Sequence, residues 1–494
     1  MSRFYFISVL IVFSVIALLQ QGCIKEEDFI TDNSAKLSFS LDTLRFDTVF
    51  TEIGSATRYF KIFNTHNKPI KISRIYIKDN TNGIFNLNVD GFAGRTFTDI
   101  EIPAKDSIYL FAEVTINPNQ PDEYSPFVIE DEIIFETNGN TQAVKVEAWG
   151  QNANYIPSRW GAGTVVSSDC GGEDWVWDDP RPYVIYGVLA INNCHLIIPA
   201  GTKVYVHGGL VRSDGDIYND GIIVIQQNAK LSINGTKDRP VIIQSDRLEE
   251  DFSDASGQWA AIVIQSEDNH IENAIIKNSI IGIRVDSAAS LSIKNTQIKN
   301  TALQGLIAIS AQVEAENCSF VNTGTYAVQL EYGGNYNFSY CTISGYGIDK
   351  SALRASNYIC RDVNDCEHNF SLNRLESNFV NCIITGSIKD QIELATASTD
   401  ASTLQYNFSH CLFKVNELAN VNGFPDFYQH CTNCTNLVGN EKLFKDVDEN
   451  DFHLDSLSVA RDLALPIPSI PTDLEGNVRD QVAPDAGCYE WKSL

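Results

Sequence analysis

The chain has 494 residues, of which 44% are hydrophobic, and this is enough for two or three domains with apolar cores. Its 63 acidic residues outnumber 36 basic residues, which gives a formal net charge of −27. A balance this negative disfavours nucleic acid and anionic membrane surfaces as partners, because both attract positively charged proteins.

The first 22 residues have the pattern of a secretory signal rather than of a folded domain. Arg3 gives a positive start, residues 4–19 form an almost unbroken apolar run, and Gly22 comes near its end. The run is shorter than the ~20 residues that a membrane-spanning helix needs. We therefore expect residues 1–22 to be a signal peptide.

The small residue before Cys23 resembles the lipobox of bacterial lipoproteins, in which the cysteine is acylated. Where that pattern usually has Leu, three positions before the cysteine, this chain has Gln20. Residues 24–28, a Lys followed by acidic residues, resemble the surface-export signal of lipoproteins from the Bacteroidetes. The resemblance implies a lipid anchor at Cys23, an acidic linker over residues 23–35 and a place on the outer membrane, with membrane contact through the lipid only. The alternative is a plain cleaved signal followed by a charged linker.

Residues 36–152 contain about seven short runs in which apolar and polar residues alternate, with turn residues between the runs. This pattern predicts a small immunoglobulin-like β-sandwich. The segments 63–65 and 149–150 resemble landmarks of ASH-type (choice-of-anchor D-like) domains, which serve mostly as spacers or docking modules. We find no catalytic constellation in this region, and the resemblance implies a spacer.

A six-residue motif then recurs along the chain, first at steps of 22 and 23 residues and later at steps of 41 and 29. The copies begin at Asn273, Asn295, Asn317, Tyr340, Asn381 and His410. Short β-type runs that repeat at such a period indicate a solenoid of stacked coils. Within each copy, alternate positions hold apolar residues or cysteine, with Thr296 as the exception in the second copy, and a period of two places these positions on the inner face of the coils.

This pattern resembles the right-handed parallel β-helix of pectate-lyase-like proteins. We therefore expect an all-β chain in which the small immunoglobulin-like sandwich precedes a right-handed parallel β-helix over residues 153–494. A long excursion is expected near residues 347–375, and the tail resembles the capping coil that closes proteins of this family.

The 12 cysteines fall into groups with different expectations. Cys318, Cys341, Cys382 and Cys411 share one inward column, where nearly parallel Cβ directions disfavour disulfides, so we expect buried free thiols. Cys360 and Cys366 lie together in the excursion, and Cys170 and Cys194 lie at the entry to the helix. We expect a disulfide in each of these two pairs.

Cys431 and Cys434 have a CxxC spacing, but no second CxxC or His pair accompanies them. We therefore expect neither a metal nor a cofactor, and a local disulfide or free thiols at this motif.

Enzymes of this fold carry recognisable sets of polar residues. Polygalacturonase-like hydrolases need paired carboxylates, and the chain contains neither an Asn-Thr-Asp nor a Gly-His-Gly segment. Uronate lyases need a carboxylate-bound Ca²⁺ and a basic residue, and we find no such set. The sequence therefore predicts no catalytic residue.

Tyrosines crowd the stretch next to the excursion. The candidates for glycan binding are Tyr326, Tyr332, Tyr340 and Tyr346. Aromatic faces beside amides and carboxylates are what sugar rings stack and hydrogen-bond against. The alternative is that these tyrosines only pack in turns.

Three functions stay open from the sequence. The leading one is non-catalytic binding of an extracellular glycan, or of another envelope component such as a protein, along the β-helix. The second is a polysaccharide lyase or glycoside hydrolase with an unrecognised site, and the third is an adhesin-like scaffold.

Overall fold

The computed structural model describes residues 28–50, 57–79, 84–115, 127–157, 164–213, 216–362, 366, 369–420, 423–439 and 441–493. The chain divides into two compact units, Met1–Gln151 and Asn152–Leu494. Within the described residues, no helix has the length and apolar character that crossing a membrane requires. Cys23 lies outside the described residues.

The N-terminal unit is a sandwich of two five-stranded sheets. Its strands are β1 (Ser38–Phe39), β2 (Thr43–Phe50), β3 (Arg58–Phe63), β4 (Ile70–Ile77), β5 (Phe85–Val89), β6 (Phe92–Gly94), β7 (Thr96–Ile102), β8 (Ser107–Val114), β9 (Phe127–Thr137) and β10 (Asn140–Gln151). The sheet orders are β1-β3-β8-β5-β6 and β2-β10-β9-β4-β7. Alternate residues of these strands, among them Phe60, Ile72 and Phe135, meet in one apolar core.

Part of the expected linker belongs to this sandwich. The backbone N–H of Ile30 donates to the carbonyl of Pro69 at 2.9 Å, and Ala35 is fully buried. The expectation of a linker over residues 23–35 is therefore wrong for residues 28–35, because the apolar Ile30 and Ala35 pack against the sandwich core.

The C-terminal unit is a parallel β-helix whose coils present three faces. The first face is an 11-stranded sheet. Its strands are β11 (Asn154–Ile156), β14 (Tyr183–Ile185), β17 (Lys203–Val206), β22 (Val241–Ser245), β25 (Ala274–Lys277), β28 (Gln297–Thr301), β30 (Ser319–Thr323), β32 (Thr342–Gly345), β37 (Ile383–Gly386), β40 (Leu412–Phe413) and β42 (Thr435–Asn436).

The second and third faces share one 17-stranded sheet, because two long strands run around the corner between them. The second face contains β12 (Val165–Asp169), β15 (Val188–Asn192), β20 (Ile222–Ile225), β23 (Ala261–Ile264), β26 (Ile283–Val285), β33 (Leu353–Ser356), β38 (Ile392–Ala395) and the first parts of β29 (Leu306–Glu316) and β31 (Val328–Ser339). The third face contains β13 (Asp174–Val176), β16 (His195–Pro199), β21 (Lys230–Asn234), β24 (Asn269–Glu272), β27 (Ser290–Lys294), β36 (Leu375–Val380), β39 (Leu404–Ser409), β41 (Cys431–Thr432) and the second parts of β29 and β31.

Outside the three faces lie short hairpins and 3₁₀ turns. The hairpins are β18 (Leu210–Ser213) with β19 (Asp216–Asn219), β34 (Tyr358–Cys360) with β35 (Phe370–Leu372), and β43 (Phe444–Asp446) with β44 (Asp451–Leu454). The 3₁₀ turns are Glu250–Phe252, Ala401–Thr403 and Phe427–His430.

The inward columns expected from the repeat form the core of the β-helix. Ile276, Ile298 and Phe320 are fully buried, as are the cysteines of the neighbouring column. Burial of each such apolar side chain stabilises the fold by about 1.5–3 kcal/mol relative to exposure. The expected all-β architecture, with a sandwich before a parallel β-helix, is confirmed.

In β31, the corner between the second and third faces requires glycine. In β31 the chain turns through Tyr332, whose φ is +56°, and then Gly333 and Gly334, whose φ values are +76° and +119°. A Cβ on Gly334 would lie 2.4 Å from the carbonyl oxygen of Ala311 and 2.4 Å from the hydroxyl oxygen of Tyr336. No larger residue fits here without a backbone shift.

The excursion is shorter than the expected range 347–375. Leu353–Ser356 is a regular strand of the second face, and its inward side chains Leu353 and Ala355 are buried. What leaves the coil is the loop before this strand and the hairpin β34–β35 after it.

The tail also differs from the expected capping coil. Its apolar residues, among them Phe444 and Ile470, pack against Ile383 and Leu412, which point outward from the first face. The tail therefore covers the outer side of the first face. The end of the core is instead closed by Phe427, which is fully buried against Phe408 and Phe413.

Candidate functional site

The four candidate tyrosines do not form one surface. Tyr326 lies before the first part of β31, at the second face, and Tyr332 lies at the corner between the second and third faces. Tyr340 and Tyr346 flank β32 of the first face and contact the C-terminal tail.

Tyr340 is not a binding residue, which corrects the expectation from the sequence. It is fully buried, its hydroxyl donates to the carbonyl of Leu465 at 2.8 Å, and Arg479 stacks on its ring at 3.8 Å. Tyr346 packs edge-on against Phe444, with ring centroids 6.2 Å apart. Both rings pack against the C-terminal tail, so the aromatic candidates that remain are Tyr326 and Tyr332.

Tyr326 belongs to a charged group on the second face that we call the Arg354 cluster. Its members are Tyr326, Gln329, Glu331, Arg354 and Glu393. Gln329, Arg354 and Glu393 are register partners on successive coils, so their side chains point outward in one column. The spacing of about 4.8 Å between coils brings these long side chains into contact.

Arg354 joins the two carboxylates of this cluster. Its Nε donates to Oε1 of Glu331 at 2.6 Å, and its Nη1 donates to Oε1 of Glu393. The hydroxyl of Tyr326 donates to the other oxygen of Glu393 at 2.9 Å, and Gln329 donates to Glu331 at 2.8 Å. The side chains of Glu331 and Arg354 are only 14% and 21% exposed, so this network is largely withdrawn from water.

The environment shifts two proton equilibria in the cluster. Burial opposes the charge of Arg354, but the carboxylates of Glu331 and Glu393 outweigh that effect, and the pKa of Arg354 is raised. Burial, reinforced by the charge of Glu393, raises the pKa of Tyr326 to about 12. At neutral pH the cluster therefore presents a neutral phenol and a fixed guanidinium.

The third face carries a different polar surface, a column of stacked amides that we call the amide ladder. It consists of Asn337 on β31, Asn378 on β36 and Asn407 on β39, which are register partners on successive coils. Nδ2 of Asn378 donates to Oδ1 of Asn337 at 3.1 Å, and Nδ2 of Asn407 donates to Oδ1 of Asn378 at 3.1 Å. Asn337 and Asn407 are exposed and Asn378 is half-buried.

A second polar column runs beside the ladder. Asn335, Glu376 and Gln405 are register partners there. Arg374 reaches over this column, and its Nη2 donates to Oε1 of Gln405 at 2.9 Å and lies 3.5 Å from Glu376. On β31, β36 and β39 the third face therefore presents amides beside the Glu376 carboxylate and the Arg374 guanidinium.

The hairpin β34–β35 stands at the edge of this surface, because the chain enters it from β33 of the second face and leaves it into β36 of the third face. Tyr358 and Phe370 pack edge-on across the hairpin, with ring centroids 6.1 Å apart. Ile359 and Leu372 are each 40% exposed. The hairpin thus places exposed apolar side chains at the edge of the polar surface of the third face.

The structure contains both disulfides expected from the sequence, Cys170–Cys194 and Cys360–Cys366. The second of these ties the hairpin β34–β35 to the loop at its tip. Among the described residues, no group of three His, Cys, Asp or Glu side chains is arranged to hold a metal ion.

The inward cysteine column is longer than the sequence analysis recognised. Thr435 is the register partner of Leu412, so Cys434, which precedes Thr435, follows Cys411 in the column. The CxxC motif is therefore the last step of a structural column. Burial raises the pKa of Cys341 and of Cys382 well above the ordinary value, which keeps these thiols neutral.

Neither polar group was predicted from the sequence. The Arg354 cluster depends on β33, which the expected excursion concealed. The amide ladder had a visible signal, because an Asn-Phe dipeptide recurs in the repeat at 337–338, 378–379 and 407–408. In each copy the Phe belongs to an inward column, so the preceding Asn must point outward.

Two family models match the β-helix unit. Residues 171–274 match a pectate-lyase like beta helix domain, and residues 251–413 match a right handed beta helix region. No curated protein matches the chain.

Several solved structures are similar to parts of the chain. A family 123 glycoside hydrolase from Clostridium perfringens is 8% identical, covers 23% of this chain and 26% of its own length, and has a TM-score of 0.17. The ASH / PapD-like domain of human CEP192 is 9% identical, with 27% and 94% coverage and a TM-score of 0.16. The catalytic unit of a GH87 alpha-1,3-glucanase from Streptomyces thermodiastaticus is 11% identical, with 72% and 74% coverage and a TM-score of 0.27.

The present chain thus spans about a quarter of the clostridial enzyme, and these scores are too low to carry an argument about function. The family models and the sheet topology agree on the architecture. Residues 171–413 are therefore part of a right-handed parallel β-helix that is similar to pectate-lyase-like domains.

Proposed function

We propose that this protein binds an extracellular polysaccharide along the third face of its β-helix, without cleaving the polymer chain. The observation that carries the proposal is the amide ladder of Asn337, Asn378 and Asn407. An amide group has two N–H donors and an oxygen that accepts twice, and the ladder uses one donor and one acceptor at each step. Nδ2 of Asn337 also donates to Oδ1 of Asn335 at 3.5 Å, and the side chains of Asn337 and Asn407 are exposed to solvent.

Sugar hydroxyls match this surface because each of them both donates and accepts hydrogen bonds. The ladder repeats at about 4.8 Å, the spacing between coils, which is close to the length of one pyranose residue in an extended polymer. Successive sugars along the ladder therefore meet the same two groups on successive coils, an amide N–H donor and an amide oxygen acceptor. The polar column of Asn335, Glu376 and Gln405 extends the contact sideways.

Charge favours a neutral polymer over an acidic one. The chain carries a net charge of −27, and Arg374, which lies beside the amide ladder, contacts Glu376. An acidic polysaccharide would meet a repulsive field over most of the protein. We therefore propose a neutral glycan, with the hairpin β34–β35 contacting its ring faces.

We also propose that the protein is exported and held on the outer membrane by a lipid on Cys23, with the N-terminal sandwich as a spacer. The support is the pattern of residues 1–28, in which an apolar run is followed by Cys23 and an acidic segment. Mass spectrometry of the N-terminal peptide tests the lipid, and protease treatment of intact cells tests surface exposure. A mature N-terminus other than acylated Cys23 would contradict the anchor.

The binding proposal is tested by incubating the protein with a panel of neutral and acidic polysaccharides and chromatographing the supernatants. We expect at least one neutral polymer to be depleted intact. Shortened fragments would contradict binding without chain cleavage, and depletion of acidic polymers alone would contradict the neutral class.

A further inference from the structure

A hydrogen-bonded Ser–His–Asp chain lies on the third face, several coils before the amide ladder. Asp174 is on β13, His195 on β16 and Ser232 on β21, three successive coils of this face. Asp174 and His195 are register partners, and Ser232 lies two residues beyond Lys230, the register partner of His195. The residues share the outward side of the sheet because positions two apart in a strand point the same way.

The distances between these three side chains match those of a nucleophile, a base and an orienting carboxylate. Nδ1 of His195 lies 2.9 Å from Oδ1 of Asp174, and Nε2 lies 2.8 Å from Oγ of Ser232. With its proton on Nδ1, His195 donates to Asp174 and accepts from the Ser232 hydroxyl. A triad of this kind is recognised by its geometry and not by its order in the sequence.

Two basic side chains adjoin Ser232 on the same surface. His270 is its register partner on the next coil, and Lys230 precedes it by two residues on the same strand. Both contact Asp268, Lys230 through its ammonium group and His270 through Nε2 at 3.1 Å. They supply donors for the negative oxygen that forms when a carbonyl is attacked.

We propose that Ser232, His195 and Asp174 hydrolyse O-acyl esters on a polysaccharide that lies along the third face. The Ser232 oxygen bonds to the acyl carbon, His195 takes the hydroxyl proton, and the carbonyl π electrons move onto oxygen. When they return, the ester C–O bond breaks, and the proton on His195 passes to the departing sugar oxygen, which leaves as a hydroxyl group. Water, activated by His195, then releases the acid and restores Ser232.

The exposure of the site sets the class of bond it acts on. The side chains of His195 and Asp174 are 32% and 61% exposed, so water screens their charges. Activation of Ser232 is therefore weaker than in a buried triad. Esters fit such a site better than amides because an alkoxide is a better leaving group than the nitrogen anion that an amide would release without full protonation.

The test uses the full chain with p-nitrophenyl acetate and with a fluorophosphonate probe, followed by peptide mapping. We expect the phosphonyl group on Ser232, and an esterase rate about 100-fold lower in Ser232→Ala, the scale of general-base assistance. Asp174→Asn should lower kcat about 10-fold and leave KM unchanged, because Asp174 acts only through His195. Ser292→Ala is the matched control. Ser292 lies in the same outward-facing column two coils further along the β-helix, and its loss should not affect the rate.

No label on Ser232, or an unchanged rate in Ser232→Ala, would overturn the triad. Only the polysaccharide substrate rests on the proposed function, and the small ester and the probe need no glycan. If polymer depletion persists while the esterase fails, the triad alone is wrong. If the esterase works but no polymer is depleted, the triad stands and the glycan assignment falls.

Discussion

Asn378 donates a hydrogen bond from Nδ2 to Oδ1 of Asn337 at 3.1 Å, across two neighbouring coils of the third face. Asn407 repeats the contact on the next coil. The side-chain amides therefore stack at the period of the backbone coils. This stacking fixes the orientation of each amide before a ligand binds. The amide side chains therefore lose little conformational entropy when a ligand with the same period forms hydrogen bonds to them.

Arg354 is expected to be a stabilising residue as well as part of the cluster. Arg354→Met removes the cation that lies between the carboxylates of Glu331 and Glu393 and pairs with both. Because Arg354 and Glu331 are mostly buried, we expect the β-helix unit to lose about 1–3 kcal/mol, measured by urea unfolding. Arg374→Met is the control, because the side chain of Arg374 is 61% exposed and its loss should cost at most about 0.5 kcal/mol. Equal losses in the two variants would contradict this account.

The corner at Gly334 predicts a steric effect. Gly347→Ala at φ +79° meets open space and should cost about 1–2 kcal/mol for the left-handed backbone alone. Gly334→Ala adds a clash with the carbonyl of Ala311 and should cost about 1–3 kcal/mol more. Thermal unfolding of both variants makes the comparison, and a Gly334→Ala protein as stable as Gly347→Ala would show that the corner yields without strain.

The cysteine column predicts an order of reactivity. Hydrogen bonds from the Cys411 and Cys431 side chains lower the pKa of Cys434, which is half-buried at the end of the column. Cys341 and Cys382 are fully buried and neutral. Iodoacetamide at pH 7.5 should therefore modify Cys434 well before the two buried thiols, as read by peptide mass spectrometry. Labelling of the buried pair at the rate of Cys434 would indicate that the column opens readily.

His207 predicts a pH dependence in the β-helix unit. Its ring stacks on Tyr186 with centroids 4.4 Å apart, and Nδ1 lies 2.7 Å from Oδ2 of Asp246. Burial opposes the imidazolium, but Asp246 outweighs it and raises the pKa of His207 above 6.5. A raised folded-state pKa adds stability that is complete below 6.5 and is lost as pH rises through the folded value.

The urea concentration at the unfolding midpoint should therefore decrease as the pH rises from 5.5 to 8. In Asp246→Asn this decrease should be smaller. Asp238→Asn removes an exposed carboxylate elsewhere in the same unit and should keep the slope of the unchanged protein. An NMR titration of His207 gives its pKa directly, and a value below 6.5 would refute the assignment.

The sequence predicted the coils well because each inward position must be apolar. The columns through Ile276 and Phe338 were visible at the repeat period, and burial bears them out. It failed where the step between copies lengthened, because the strand at Leu353–Ser356 has only four residues and lies among polar loop residues.

The candidate site was harder to predict, because its groups meet only through the coil register. Glu331 and Glu393 are 62 positions apart in the chain, and both reach Arg354 because three coils stack. Tyr340 was misassigned for a related reason. The tail that buries it returns from more than a hundred residues downstream, as the contact with Leu465 shows.

The most direct test of the central claim is the affinity of the amide ladder for polysaccharide. Retention on each neutral polymer of the panel is measured by affinity electrophoresis for the unchanged protein, for an Asn337→Ala, Asn378→Ala double variant, and for Gln297→Ala, an outward amide on the first face. Two lost hydrogen bonds of about 1 kcal/mol each predict that the double variant binds roughly 30-fold more weakly than the unchanged protein. The Gln297→Ala control should bind as tightly as the unchanged protein. Equal retention of all three proteins would contradict the claim that the third face is where the glycan binds.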